Sequence, residues 1–366
     1  MRTDPIAVSI LTGFLGSGKT TLLNRLLKDP ALTNTAVIIN EFGEVAIDHL
    51  LVEKSGDGVI ELSDGCLCCT VRGELVDTLA DLVDRVQTGK VAALDRIVIE
   101  TTGLADPVPV LQSVMGHPAL MHAFRLDGVV TIVDAVNGGA TLLEHEEARR
   151  QVAVADRIVL SKTDLADGHE VSELTAKLRG LNPGAEIVEA ADATSGTAAL
   201  IACGLYDPAT KTADVARWLG ESDHDHHHDH DHAHEHAHSH HDASIRTFSL
   251  VHDRPVSWST IEMFLDLLRS TQGERLLRMK GIIEIAEDPD RPLVIHGVQK
   301  LLHPPARLPA WPDGQRGTRL VLITHDLPED YVRRLFGAFV GQPAVDAPDR
   351  AAMVDNPLAI AGFRAG

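Results

Sequence analysis

From residue 6 to about residue 202, short aliphatic and β-branched runs alternate with stretches whose apolar positions recur every three or four residues. The runs are "IAVSILT", "TAVIIN", "RIVIET", "GVVTIVDA", "RIVLSKTD" and "AEIVEA"; the stretches between them include 71–88 and 143–155. Continuous apolar runs predict strands buried on both faces, and the helical period predicts helices packed over them, which is the α/β signature of βα units around a mostly parallel sheet. At 221–243 the pattern stops, because "ESDHDHHHDHDHAHEHAHSHHDA" has too little apolar surface to fold alone, and a disordered linker is expected there. It resumes with "IRTFSLV", the amphipathic "SWSTIEMFLDLLRS", then "RMKGIIEIAED", "PLVIHGV", "TRLVLITH" and a helix-like "PEDYVRRLFGAFV". These predict a smaller α+β C-terminal domain with a partly antiparallel sheet. The expected organisation is a first domain over 1–220, the His-rich segment 221–243 and a second domain over 244–366, whose last 25 or so residues are weakly specified.

Composition narrows the function classes. The chain has 366 residues, 44% of them apolar, enough for more than one core. A formal charge of −20 with no basic patch argues against nucleic acid as a partner. No apolar run approaches the length of a membrane span, and the N-terminus lacks the order of segments of a secretory leader, so a cytoplasmic protein with no membrane partner is expected. Four cysteines, three of them crowded together, make a poor disulfide framework and fit a reducing compartment.

The strongest motif is "GFLGSGKTT", which fits G-x-x-x-x-G-K-[ST] with Gly13, Gly18, Lys19 and Thr20, between an apolar strand and an amphipathic helix, and makes Gly16, Ser17 and Thr21 further candidate nucleotide-binding residues. Glycines let backbone N–H groups curl around phosphate oxygens, Lys19 reaches the terminal phosphates, and the Thr20 hydroxyl is a magnesium ligand. In "DRIVIETTGLADP" a strand delivers Glu100 at its carboxyl end to hold magnesium, directly or through water, and Gly103 can approach a γ-phosphate through its N–H. Lys19, Thr20 and Glu100 are therefore the expected catalytic residues. "RIVLSKTDL" resembles the [NT]-K-x-D element: Asp164 would accept from guanine and the Lys162 stem would cover the base, with Ser161 at the usual Asn position.

Two further stretches point to metal. "GCLCC" sets Cys66, Cys68 and Cys69 within four positions. Gathered by a turn, three thiolates leave a tetrahedral zinc site one ligand short, which suits transfer better than storage. Zinc is favoured, copper(I), cobalt and nickel are compatible, and a buried apolar cluster or a redox switch are the rival readings. Residues 224–241, from His224 to His241, hold eleven of the twenty histidines and offer many modest, overlapping sites, as a metal collector would. Cys203, Trp218, Trp258 and Trp311 read as packing residues.

Together "TGFLGSGKTTLLN", "INEFGE", "GCLCCTVR", "ETTGLADP", "SKTDL", the His-rich segment and "RMKGIIEI…VIHGVQKLLHP" resemble the CobW-like GTPases of the SIMIBI class, the zinc-regulated GTPase metalloprotein activators. The resemblance covers nearly the whole chain. It implies a P-loop GTPase domain followed by a CobW-type C-terminal domain, and GTP hydrolysis coupled to delivery of Zn2+ from the CxCC motif to a client metalloprotein, with GTP and Mg2+ bound. Alternatives are a cobalt chaperone for cobalamin synthesis and a zinc buffer with a regulatory nucleotide site, and Co2+ or Ni2+ could stand in place of Zn2+ as the metal. In such GTPases the nucleotide-sensing switch lies where "INEFGEVAID" stands, so Glu41 is a candidate to supply a carboxylate to the metal or to the magnesium network, with Glu44 and Asp48 weaker ones.

Overall fold

The apolar runs become the strands of two sheets. The computed structural model describes residues 5–32, 34–40, 73–118, 120, 122–191, 196, 198–203, 245–312 and 314–341. The first unit comprises β1 (Ile6–Gly13), α1 (Lys19–Leu27), β2 (Thr35–Asn40), α2 (Gly73–Gln87), β3 (Arg96–Thr101), α3 (Val108–Gly116), β4 (Phe124–Asp134), α4 (Gly138–Glu144), α5 (Glu146–Ala153), β5 (Arg157–Ser161), α6 (Gly168–Leu181), β6 (Glu186–Glu189) and α7 (Ala198–Ile201). Its six strands run in the order β2-β3-β1-β4-β5-β6, and every pairing is parallel.

Strand alternation decides which helices meet which side chains. Val8 and Ile10 of β1 join one cluster with Leu79 and Leu82 of α2 and Leu111 of α3. Leu11 points the other way, onto Leu22, Leu23 and Leu26 of α1. Both faces are covered, so the strands read as unbroken apolar runs rather than as an alternation. The helix expected over 143–155 is broken instead at His145, whose backbone is extended (φ −121°, ψ 118°) between α4 and α5. Its ring stacks on Phe14 at 4.4 Å, and Glu146 and Glu147 then open α5 with the negative charge that a helix N-terminus favours.

The second unit comprises β7 (Ile245–His252), α8 (Trp258–Gln272), β8 (Leu276–Ile283), β9 (Leu293–Val298), β10 (Leu301–Leu302), β11 (Ala306–Arg307), β12 (Thr318–His325) and α9 (Glu329–Phe339). Its strand pairings are antiparallel throughout, where a partly antiparallel sheet was expected, because short connections such as the turn at Gln299 and Lys300 return the chain directly beside itself. Ser257 caps α8 by accepting from the Thr260 N–H at 3.3 Å. Ile261, Phe264, Leu265 and Leu268 then fall at i, i+3, i+4 and i+7 and are buried on the sheet. Phe264 meets Phe336 of α9 edge-on at 5.1 Å.

The opposite face of this sheet is turned to the first unit. Leu277, Val298 and Ile323 enter the same apolar cluster as α2 and α3. Beside them Asp156, in the short link from α5 to β5, takes Arg278 Nη2 at 2.7 and 2.8 Å and Lys280 Nζ at 2.9 Å, with all three side chains under 10% exposed. Burial alone would raise the Asp156 pKa; the charges of Arg278 and Lys280 and a hydrogen bond from the Val129 N–H bring it down to about 2. Gln112 of α3 donates to Gln299 at 2.6 Å, a further polar tie between the units. Trp258 packs against the α8–α9 cluster, Trp311 donates to the Pro289 carbonyl at 2.7 Å, and Cys203 packs beside α7. Those three expectations of packing hold, while Trp218 lies outside the described residues. Among the described residues no helix is long and apolar enough to cross a membrane.

Candidate functional site

β1 ends at Gly13 in the interior of the parallel sheet, between β3 and β4. The loop that follows therefore emerges outside the carboxyl ends of the strands, where open parallel sheets bind ligands. Gly18 ends the loop in the left-handed region (φ 97°) at the N-cap of α1, and no side chain caps the helix. The first-turn N–H groups thus face the loop with the positive end of the helix dipole, a ready place for a phosphate. Thr20 and Thr21 stand in that turn. Lys19 is 9% exposed, and its ammonium donates to Gly13 O at 2.9 Å and Phe14 O at 3.2 Å. It is thereby held across the base of the loop.

Glu100 lies in register with Leu11 of β1 and Ile39 of β2, buried at the carboxyl end of β3. Thr101 Oγ1 donates to Thr12 Oγ1 at 2.8 Å and stitches the two strand ends together. The next turn comes directly against the phosphate loop, since a Cβ on Gly103 would lie 2.7 Å from Leu15 N and 2.9 Å from Leu15 Cα. Only a glycine allows that approach. The carboxylate of Glu100 and the hydroxyl of Thr20 are hard oxygen donors at one sheet edge, the donor type that magnesium takes.

At the far side, Ser161 ends β5 and its hydroxyl donates to Ser17 O at 2.6 Å. Lys162 has a positive φ of 57°, and its ammonium donates to Gly16 O at 2.8 Å and Asp134 Oδ2 at 2.6 Å. Burial works to raise the Asp134 pKa, but Lys162, Asn137 and the N–H groups of Val136 and Asn137 hold it below the usual carboxylate range. Asp164 is exposed, free of the helix that follows, whose N-terminus is capped by Asp167 instead. Gly13, Phe14, Gly16, Ser17, Lys19, Ser161 and Lys162 thus form one hydrogen-bonded assembly, with Glu100 and Gly103 on its other flank. A cleft of about 210 Å³ opens between Leu15, Ser17, Asp134, Asn137 and Lys162.

Three contributors were not foreseen in these roles: the Ser161 hydroxyl as a brace for the loop, Asp134 as the partner of Lys162, and Gln151, which reaches the Gly103 turn from α5. Asp134 had a signal, since it closes an apolar run as Glu100 does; Gln151 had none. Glu41, Glu44, Asp48, Cys66, Cys68, Cys69 and the tract from His224 to His241 lie outside the described residues. Among the described residues no group of three or more His, Cys, Asp or Glu side chains is placed to hold a metal.

Comparison with known proteins places both halves. Residues 7–189 match the family model described as CobW/HypB/UreG, nucleotide-binding domain, and residues 245–340 match the cobalamin synthesis protein cobW C-terminal domain. The chain is 34% identical over 336 residues to the zinc chaperone YjiA of Escherichia coli, covering 91% of this chain and 98% of that protein. It is 36% identical over 193 residues to zinc-regulated GTPase metalloprotein activator 1 of Schizosaccharomyces pombe, across 51% of this chain and 46% of the relative. Among solved structures, the zinc-bound YjiA GTPase of E. coli superposes with a TM-score of 0.64 at 31% identity, over 92% of this chain and 99% of the other.

Proposed function

The chain belongs to the CobW/HypB/UreG family and carries the CobW C-terminal domain, and from that premise we propose that it is a GTP-hydrolysing zinc chaperone that hands its metal from Cys66, Cys68 and Cys69 to a client metalloprotein. One observation carries the reading: the phosphate loop, the Glu100 strand and the Lys162 segment come together at one sheet edge in a chain that matches proteins named zinc chaperones over nine-tenths of its length. GTP is the substrate, and zinc is the cargo.

The roles follow from the donors present. The N–H groups of the loop and of the first turn of α1 bind the phosphates, and Lys19, already tethered to Gly13 and Phe14, neutralises charge that grows during transfer. Thr20 and Glu100 would hold Mg2+, which supplies further charge neutralisation when bound. Gly103 presents backbone to the third phosphate, and Asp164, exposed and acceptor-only, selects guanine. Glu41 is the further metal ligand that links the cysteines to the nucleotide. A metal whose ligands depend on the third phosphate is released when that phosphate leaves. The His-rich segment collects metal for the cysteines, and residues 1–220 and 244–366 act as the two functional domains, in the cytoplasm.

The test is zinc affinity and GTP turnover measured together on the full chain and on a triple Cys→Ser variant at 66, 68 and 69. Zinc affinity of the unaltered chain should differ several-fold between a non-hydrolysable GTP analogue and GDP. The triple variant should lose that difference. Equal affinities in the two states would sink the coupling, and zinc binding without GTP turnover would leave a buffer rather than a chaperone.

A further inference from the structure

Gln151, on α5, is 1% exposed and tied at both ends. Its main-chain carbonyl accepts from Thr131 Oγ1 of β4 at 2.7 Å. Its Nε2 donates to Gly103 O and Ala105 O, each at 3.1 Å. Those two carbonyls belong to the turn that presses on Leu15 of the phosphate loop, so the turn is clamped between Leu15 on one side and a single carboxamide on the other. The C=O and N–H of one peptide point opposite ways, so fixing Gly103 O also fixes the Leu104 N–H.

The same helix is fastened to the C-terminal sheet at both ends. Near its start, Glu146 Oε1 meets Arg150 Nε at 2.8 Å and His325 Nε2 of β12 at 3.2 Å, while Arg150 Nη1 reaches Asp106 Oδ2 at 3.3 Å. Three residues past its end, Asp156 holds Arg278 and Lys280 of β8. A shift of the C-terminal sheet against the parallel sheet therefore moves α5, and with it the carboxamide that sets the Gly103 turn.

We propose that Gln151 is a positioning residue for the nucleotide's third phosphate, holding the turn from Thr102 to Asp106 in its phosphate-facing arrangement, and that α5 carries the state of that turn to the C-terminal domain. The proposal rests on the reading that Gly103 faces the γ-phosphate. A bulky apolar side chain would fill the space equally well, but only the carboxamide offers two N–H groups to two carbonyls. Glutamate, acceptor-only when ionised, would repel both.

The experiment measures affinities for GDP and for a non-hydrolysable GTP analogue, together with kcat, on full-length protein. Gln151→Leu should weaken the analogue about tenfold and lower kcat, while GDP affinity stays within about twofold, since GDP has no third phosphate. Gln151→Glu should weaken the analogue further. Arg150→Met and Glu146→Gln, at partly exposed positions, should give the same analogue-selective loss at about two- to threefold. A Gln151→Leu protein that melts earlier yet keeps the unaltered ratio of analogue to GDP affinity would reduce Gln151 to packing and overturn the proposal. Should that variant not fold, an unchanged ratio in Arg150→Met overturns it instead. An unaltered chain that binds GDP and the analogue equally also overturns it while nucleotide binding stands; one that binds neither removes the nucleotide reading as well.

Discussion

The two sheets place their polar groups in opposite ways. In the parallel sheet the polar side chains of the candidate site gather at the carboxyl edge, and Lys19, Ser161 and Lys162 all donate to carbonyls of one loop. In the antiparallel sheet the buried charges lie on a face: Arg278 and Lys280 point toward the first unit with the half-buried His296 beside them, while the other face is mostly apolar under α8 and α9. Burial, followed by the neighbouring His303 and Arg278, pushes the His296 pKa well below its ordinary value, so it stays neutral beside the ion cluster. Edge chemistry binds a ligand that comes and goes, whereas face chemistry holds a permanent neighbour. The difference assigns the candidate nucleotide site to one sheet and attachment to the other.

The sharpest separation is expected from Phe264→Ala. It removes a fully buried ring from the α8–α9 core, at a cost of about 3–5 kcal/mol in chemical denaturation, with nucleotide affinity within about threefold. A parallel fall in GTP affinity would mean the two sheets are not separable in this way. Asp156→Asn should cost about 3–5 kcal/mol and act on both units, because it leaves Arg278 and Lys280 buried without their carboxylate. The same pair sets a pH dependence. Asp156 is held at about 2 against an ordinary 3.8, so its contribution, about 2 kcal/mol, is complete above pH 4 and lost as pH falls from 4 to 2. Denaturation curves across that range should flatten in Asp156→Asn. Lys19→Ala should lower affinity for a GTP analogue about 100-fold with the melting temperature nearly unchanged, the mirror image of Phe264→Ala. Smallest is Ser161→Ala, which removes the brace on Ser17 O at about 1 kcal/mol, read as faster nucleotide release.

Much of the architecture was legible because strands buried on both faces and amphipathic helices leave strong periods. The runs from "IAVSILT" to "TRLVLITH" all became strands. The break at His145 was not legible, since the apolar period runs on through it and the cause is a ring stacked on Phe14, which lies far away in sequence. The candidate nucleotide site was readable where its chemistry is local, in the loop from Gly13 to Thr21 and at the strand end of Glu100. It was hidden where the partner is distant. Ser161 stands where asparagine is usual, and only the fold reveals that its hydroxyl reaches Ser17; Lys162 was read as covering a base, while its ammonium also ties Gly16 to Asp134. The Gly103 turn was visible, yet Gln151, 48 positions on, carried no mark of its part in holding that turn.

The ion cluster of Asp156, Arg278 and Lys280 also sets terms for recombining such proteins. The chain looks like two portable modules, since one family model ends at residue 189 and the next begins at 245. A chimera cut between them would inherit Asp156 from one parent and the β8 cations from the other. Graft compatibility is thus decided at three positions far from the splice, and a donor lacking either cation would supply a well-folded domain that docks poorly onto its new host.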